Sequence, residues 1–425
     1  MSRVYAYIFR VLKVTPNAAV GAKKKTKREK TAHKARVLNY EKIIKRLERV
    51  KPKFLHLPLC SLVLIVALFG LAMLYSASKY NSMIYHGTPL FFVKSQFIGF
   101  ILGLGLMAFT YFLDYKIYRK FAWMIYGAGA ALLALVFVPA IGITRLGSSR
   151  WLGVGGFSMQ PSELAKFAFV ILAASVAAGG VGAKDANVGD NKSLLSFKKF
   201  ALIGACGLGY CALIFLEPNL SITLVLASTT FVVLFLYGAK LKHLALVVVP
   251  ALVALPIMLV AEPYRVRRLL AFIDPWAHPK DEGFQLIQSL FGLGNGGFFG
   301  VGFGNSTQKH MFLPFAESDF IFSIIGEEFG FIGALLFIVA LFAIVTMIFR
   351  VGARCGDRFG KYLCFGIATV LFIQSAVNLA VVTGTIPPTG VPLPFISFGG
   401  TSLAVYMAVI GLVLNIEKQN RRQSS

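Results

Sequence analysis

The sequence predicts an all-α fold: a polytopic membrane protein of about ten transmembrane helices with a large extracytoplasmic loop. Three observations predict it. Of the 425 residues, 57% are hydrophobic and only 14% charged, against about 45–50% and about a quarter in an average soluble domain. Mean hydropathy is +0.72. Apolar runs near the 20 residues needed to span a bilayer recur along the chain, and basic residues mark every second connection. This composition excludes a soluble enzyme, a disordered chain and a secreted disulfide scaffold. The cysteines at 60, 206, 211, 355 and 364 show no CxxC spacing, so neither a disulfide framework nor a metal site is indicated.

The first element is a basic segment, residues 1–53. It holds 17 Lys and Arg against Glu29, Glu41 and Glu48, so +14 of the formal +25 lies ahead of the first apolar run. Charge concentrated there reads as a topogenic, lipid-binding anchor or a docking site for a cytoplasmic partner; nucleic acid is not indicated as a partner. The membrane domain, 54–416, follows. Its ten segments are 55–76, 92–113, 121–142, 163–180, 199–216, 219–238, 243–261, 319–349, 362–383 and 401–416. The run beginning near Leu55 lacks a small-residue cleavage site, so it reads as a span rather than a signal peptide. Glu217-Pro218-Asn219 separates the fifth and sixth as a tight re-entry.

Lys116, Arg119 and Lys120 follow segment two, Lys184 to Lys199 segment four, and Lys240 and Lys242 segment six. Arg350 to Lys361 follow segment eight, and Lys418, Arg421 and Arg422 lie in the tail, 417–425. The positive-inside rule therefore places both termini in the cytoplasm. The outer face then carries 77–91, 143–162, the long loop 262–318 and 384–400. A loop of that length in a tightly connected bundle points to function, and its Trp276, Phe and Gly content argues against disorder.

Four constellations can carry chemistry on that face. The first is Arg145, Arg150 and Trp151 with Gln160-Pro161-Ser162-Glu163-Leu164-Ala165-Lys166. Pro161 suits a helix N1 position, and Glu163 with Lys166 is an i,i+3 pair. That pair reads equally as a neutralised ion pair or as a polar surface for an anionic headgroup. The second is Arg265, Arg267 and Arg268 after Glu262-Pro263-Tyr264. Arginines on the outer face run against the topology trend, and guanidinium groups suit phosphate oxygens. Gly292-Leu293-Gly294-Asn295-Gly296-Gly297 matches GxGxxG by letters but lacks the βαβ context of a dinucleotide site; its glycines read as tight turns and close backbone approach.

The third constellation is Glu317-Ser318-Asp319 at the entrance of segment eight, with Glu327-Glu328 further in. Ser318 or Asp319 can cap the helix, or Asp319 can act as a general base at a dry boundary. At about 100° per residue, Glu327 lies about 80° from Asp319 and Glu328 on the far side, so the two glutamates cannot both share its site. His278 and His310 show no ligand-like spacing, so zinc is not indicated. The fourth is the Pro-rich 384–402, whose Ser397, Gly399 and Gly400 lead into the N-terminus of segment ten, a natural anion site.

These groups in this order resemble the SEDS family (shape, elongation, division, sporulation) from about residue 55 to 416. The most specific pieces are Asn378, Pro387, Gly390 and Phe395-Ile396-Ser397-Phe398-Gly399-Gly400-Thr401-Ser402. Ala261 to Arg268 followed by Asp274-Pro275-Trp276 is similar to the cell-division branch. Phe398 departs slightly, since relatives usually have Tyr or Ser there. The resemblance implies a peptidoglycan glycosyltransferase that polymerises lipid II at the outer face of the cytoplasmic membrane, at the division septum, in an inverting reaction. It implies Asp319, in Ser318-Asp319-Phe320-Ile321-Phe322, as the base, and substrate contacts from Arg150, Trp151, Gln160, Glu163, Lys166, Arg265, Arg267, Arg268, Ser397, Gly399 and Gly400. It further implies a class B penicillin-binding protein (a transpeptidase) and other division proteins as partners, membrane lipid around the bundle, and a divalent cation (Mg or Mn) or Arg residues at the leaving pyrophosphate. Asn219 stands where the family often has Asp, and Thr389 where some division members have Lys. A lipid II flippase and a non-catalytic scaffold remain the competing classes. Gly99 and Gly103 also offer a small-residue face for helix pairing, including with a partner.

Overall fold

The computed structural model describes residues 56–138, 141–145, 148–154, 157–179, 195–247, 260, 263–281 and 283–424. The basic segment 1–53 and most of the predicted seventh span, 243–261, lie outside them. In chain order the elements are α1 (His56–His86), α2 (Phe91–Phe112), α3 (Tyr115–Lys120), α4 (Ala122–Leu135), β1 (Gly142–Arg145), β2 (Ser148–Val154), β3 (Phe157–Met159), α5 (Pro161–Ala177), α6 (Phe197–Leu216) and α7 (Leu220–Leu236). Then come α8 (Pro263–Ile273), a 3-10 turn (Pro275–Ala277), α9 (Phe284–Asn295), α10 (Ile321–Arg354), α11 (Arg358–Val382) and α12 (Gly400–Ser424). Among the described residues, helices stand at nine of the ten predicted segments, and 241–247, where the seventh begins, are helical as well. Among the described residues, six helices (α1, α2, α6, α10, α11 and α12) are long and apolar enough to cross a membrane, and α4 and α7 are shorter apolar helices.

Two features of the predicted loops differ. Residues 142–159 form a three-stranded antiparallel sheet, with Ile143 opposite Trp151 and Leu152 opposite Met159, so the third helix stops at Leu135 rather than near 142. The residues 262–318 form two helices and a re-entrant turn rather than an open loop. Helix α9 lies along the first turns of α10, where the Ser289 and Ser323 hydroxyls meet at 2.6 Å. The glycine run then pairs its backbone with α10 where that helix is broken at Gly330 (φ 66°). Val301 N and Gly302 N donate to Glu327 O and Glu328 O, and Phe331 N and Ile332 N donate to Gly297 O and Phe298 O, at 2.8–3.2 Å. A Cβ on Gly300 would stand 2.2 Å from Glu328 O, and one on Gly330 would stand 2.3 Å from Gly300 N. The glycines allow this approach, and the donors freed by the break find partners, as low-dielectric surroundings require.

The two glutamates of α10 secure the returning chain. Glu327 accepts from Ser306 Oγ, from Thr307 N at 3.1 Å and from Gln308 N at 3.3 Å. Glu328 Oε1 takes Lys309 Nζ at 3.0 Å and Ser76 Oγ of α1 at 2.6 Å. A second buried network joins α5, α11 and α12. Lys166 Nζ lies 2.8 Å from Glu163 Oε1 and donates to Gln374 Oε1, while Tyr406 Oη donates to Glu163 Oε2 at 2.5 Å. Helix α2 packs closely along α12: a Cβ on Gly99 would stand 2.3 Å from Gly400 Cα, and one on Gly103 would stand 2.6 Å from the Met407 sulfur. The small-residue face of α2 is therefore used within the chain.

Removing one member of a buried ion pair leaves an uncompensated charge, at a cost of about 3–5 kcal/mol. Glu163→Ala is expected to lower the melting temperature in detergent markedly, measured by intrinsic fluorescence. A wild-type melting curve would refute the structural role of the pair.

Candidate active site

At the end of the bundle opposite Arg354, Arg358 and the α12 tail, a cleft of about 1330 Å³ opens between α2, β2, the α6–α7 turn, α8 and the segments 315–319 and 386–402. Asp319 lies on its wall. The residue sits in an irregular turn just before α10 and is half-buried. Its side chain does not cap the helix, whose N-cap is Phe320 with no side-chain hydrogen bond. Instead Asp319 Oδ1 accepts from Ser318 Oγ at 2.8 Å. Gly390 faces it from the Pro-rich loop, where a Cβ would stand 3.9 Å from Asp319 Oδ2.

The backbone around Asp319 is clamped from two sides. Three successive carbonyls each accept a hydrogen bond: Glu317 O from Phe398 N at 2.9 Å, Ser318 O from Ser397 Oγ at 2.6 Å, and Asp319 O from Asn378 Nδ2 at 2.7 Å. Asn378 Nδ2 also reaches Val391 O at 2.8 Å, so α11 holds both loops at once. Gln96 of α2 completes the frame by donating to Ser397 O at 3.1 Å and accepting from Gly399 N at 2.9 Å. Burial pushes the Asp319 carboxyl up to about 6; the Ser318 hydroxyl and the Arg268 charge draw it back, and the Glu317 charge adds to the rise. A carboxylate with that proton affinity is suited to base work near neutrality.

Of the residues expected at the site, the structure brings Asp319, Arg150, Trp151, Gln160, Arg268, Gly399 and Gly400 to this cleft. Arg150 is braced on the α6–α7 turn through Pro218 O and, at 3.3 Å, Glu217 O. Ser397 stands behind the wall and acts on the Ser318 backbone. Glu163 and Lys166 are placed elsewhere, inside the bundle at 2% and 0% exposure. Arg267 is exposed on α8 and is not among the cleft-lining residues; the Arg265 side chain lies outside the described residues. Asn219 caps α7 by accepting from Ile222 N at 3.3 Å. An amide oxygen accepts there as a carboxylate would.

Sequence reasoning missed Lys94 and Gln96, and named Glu317 without giving it a role of its own. The signals were present: Lys94 and Gln96 are polar residues opening an apolar helix, and Glu317 shares a tripeptide with Asp319. Among the described residues no group of three or more His, Cys, Asp or Glu side chains comes together as a metal site.

The sequence profile of the Cell cycle protein family of FtsW, RodA and SpoVE matches residues 56–422. The chain is 36% identical over 362 residues to a probable peptidoglycan glycosyltransferase FtsW of Geobacter sp. (strain M18), covering 85% of this chain and 96% of that one. It is 34% identical to stage V sporulation protein E of Bacillus subtilis, with the same coverage. A chain from a peptidoglycan synthase complex that coordinates polymerization and crosslinking superposes with a TM-score of 0.69 at 28% identity, covering 85% of this chain and 97% of that one. The rod shape determining protein RodA of Thermus thermophilus gives 0.62 at 26% identity, covering 85% and 96%. On the profile match and these relatives, the chain belongs to the SEDS family of membrane-embedded cell cycle proteins, the family of FtsW, RodA and SpoVE.

Proposed function

We propose that this protein is a peptidoglycan glycosyltransferase that polymerises lipid II at the outer face of the cytoplasmic membrane during cell division, with Asp319 as general base. The observation that carries the reading is Asp319 itself, on the wall of a large cleft, backbone-clamped and with raised proton affinity. The basic connections around Lys116–Lys120, Lys198–Lys199, Arg354–Lys361 and Lys418–Arg422 meet at the opposite end of the bundle, which supports an outward-facing cleft and cytoplasmic termini.

In this reading Asp319 takes the proton from the 4-hydroxyl of the acceptor sugar as its oxygen attacks the anomeric carbon of the growing strand. The bond to the lipid pyrophosphate breaks, and the electron pair leaves with that group. An α-linked donor and a β-1,4 product make this an inversion, for which one base in line suffices. Arg268 and Lys94 line the same cleft, as does the first turn of α12, Gly400 to Ser402; two cations and a helix N-terminus suit the developing negative charge. Ile98, Leu102 and Leu224 form an apolar wall on the helices α2 and α7, suited to a polyprenyl chain. The intramembrane charges Glu163, Lys166, Lys309, Glu327 and Glu328 are joined in two networks and Glu217 stands apart at the α6–α7 turn, rather than all aligning along a path, which favours an enzyme over a flippase. The synthase complex among the structural neighbours supports a crosslinking partner, for which a class B penicillin-binding protein is our reading.

Asp319→Asn is expected to abolish glycan-strand formation from labelled lipid II while leaving the melting temperature unchanged. Because the base must be deprotonated, the wild-type rate is expected to rise with pH up to about 6 and level above it, falling about tenfold per unit on the acid side. Polymer from the Asp319→Asn protein at the wild-type rate would sink the assignment. Arg268→Ala is expected to raise KM for lipid II about tenfold, whereas Arg267→Ala leaves it within twofold; equal effects would remove Arg268 from the phosphate role.

A further inference from the structure

Glu317 takes no part in the mechanism above, yet it lines the same cleft two residues before Asp319. In a helix, residues two apart do not face each other; the irregular turn before α10 lets both carboxylates reach one wall. Glu317 is 8% exposed and fixed at two points. Its Oε1 accepts from Asn81 Nδ2 of α1 at 2.9 Å, and its backbone carbonyl accepts from Phe398 N at 2.9 Å. We propose that Glu317 is a positioning residue for glycosyl transfer, a second carboxylate hydrogen-bonded by Asn81 whose negative charge makes Asp319 a stronger base. This rests on the reading of Asp319 given above.

The physical argument is the behaviour of like charges in a poorly hydrated site. A carboxylate beside a second carboxylate holds its proton more tightly. Burial pushes Glu317 up as well, and the Asn81 amide pulls it back by hydrogen-bonding the charged form. The other charged groups lining the cleft are Arg268 from α8, Lys94 from α2 and Arg150 from β2. Of these, Arg268 draws the Asp319 proton affinity down. Glu317 is the acidic counterweight to that cation, placed where a cationic rim alone would leave the base too weak.

The test is the pH dependence of kcat/KM for lipid II polymerisation by the full-length protein with its transpeptidase partner, between about pH 5 and 9. Wild type, Glu317→Gln, Asn81→Ala and the double variant are compared. The amide in Glu317→Gln keeps an oxygen for Asn81, so a wild-type melting temperature is expected. Its acid limb is expected to move down by about half a unit or more, and its plateau to fall several-fold, because a weaker base is deprotonated earlier. Asn81→Ala is expected to move the limb in the same direction by less, and to add nothing to Glu317→Gln. A limb that stays in place, with or without a uniform loss of rate, overturns the proposal.

If Glu317→Gln is too slow to profile, the Asp319 carboxyl stretch is titrated by infrared difference against Asp319→Asn. An unshifted midpoint in Glu317→Gln overturns the proposal equally. Wild-type polymerisation that does not depend on Asp319 removes the base and this inference together; an Asp319-dependent limb unmoved by Glu317→Gln removes only the inference.

Discussion

The site depends on one backbone constraint, the three consecutive carbonyls of Glu317, Ser318 and Asp319 that accept from Phe398 N, Ser397 Oγ and Asn378 Nδ2. An irregular turn has no ladder of its own to hold it. Here each carbonyl finds a donor from a different part of the chain, two on the Pro-rich loop and one on α11. Loss of any one would leave a buried acceptor unmet, at about 1–3 kcal/mol, and would free the residue next to the carboxylate that performs the proposed chemistry. The loop that supplies two of the donors is itself fixed by Gln96 and by Asn378, so α2 and α11 both hold the frame around the tripeptide.

The rest of the fold separates two uses of polar groups within an apolar bundle. Glu163, Lys166, Gln374 and Tyr406 are consumed in joining helices, as are Glu327, Glu328, Lys309 and Ser76 in holding the returning loop. Most of these polar atoms pair with one another, as desolvated charges require, and Glu328 Oε2 is the buried exception. The cleft residues Arg268, Lys94 and Asp319 line a space large enough for a ligand. The division follows depth, with closed networks inside the bundle and the open face at its end. Glycine supports both, because α2 can meet α12, and the glycine run can meet the break in α10, only where no Cβ intervenes.

Much of this was legible in the sequence. Hydropathy and the alternation of basic connections gave the helices, and the Ser318-Asp319-Phe320 tripeptide pointed to the carboxylate. The sheet at 142–159 was passed over because its strands are short, although Gly155-Gly156 between β-forming residues is a hairpin signal. The break at Gly330 was hidden because Gly is common in transmembrane helices and its partner, Gly300, is 30 residues away. The fate of Glu163 and Lys166 was undecidable locally: an i,i+3 pair looks the same whether it faces a headgroup or Tyr406 and Gln374, and only tertiary packing chooses. Arg267 and Arg268 are neighbours in sequence, yet only one faces the cleft, a matter of helix phase within α8.

The position of Asp319 at the mouth of the bundle, rather than deeper, follows from opposing demands on one carboxyl. Deeper burial would raise its proton affinity until it stayed neutral and could accept nothing. Full exposure would leave it an ordinary surface acid, too weak to take a proton from a sugar hydroxyl. A cationic rim, needed to hold a pyrophosphate, pulls the same carboxyl toward the weak end. The turn before α10 resolves the conflict by fixing the backbone rigidly while leaving the side chain half-buried. Desolvation then supplies the rise, and Ser318 and Arg268 limit it. In the proposed reaction acceptor and donor are both lipid-linked with their sugars in water, so a base at this boundary stands where both can reach it.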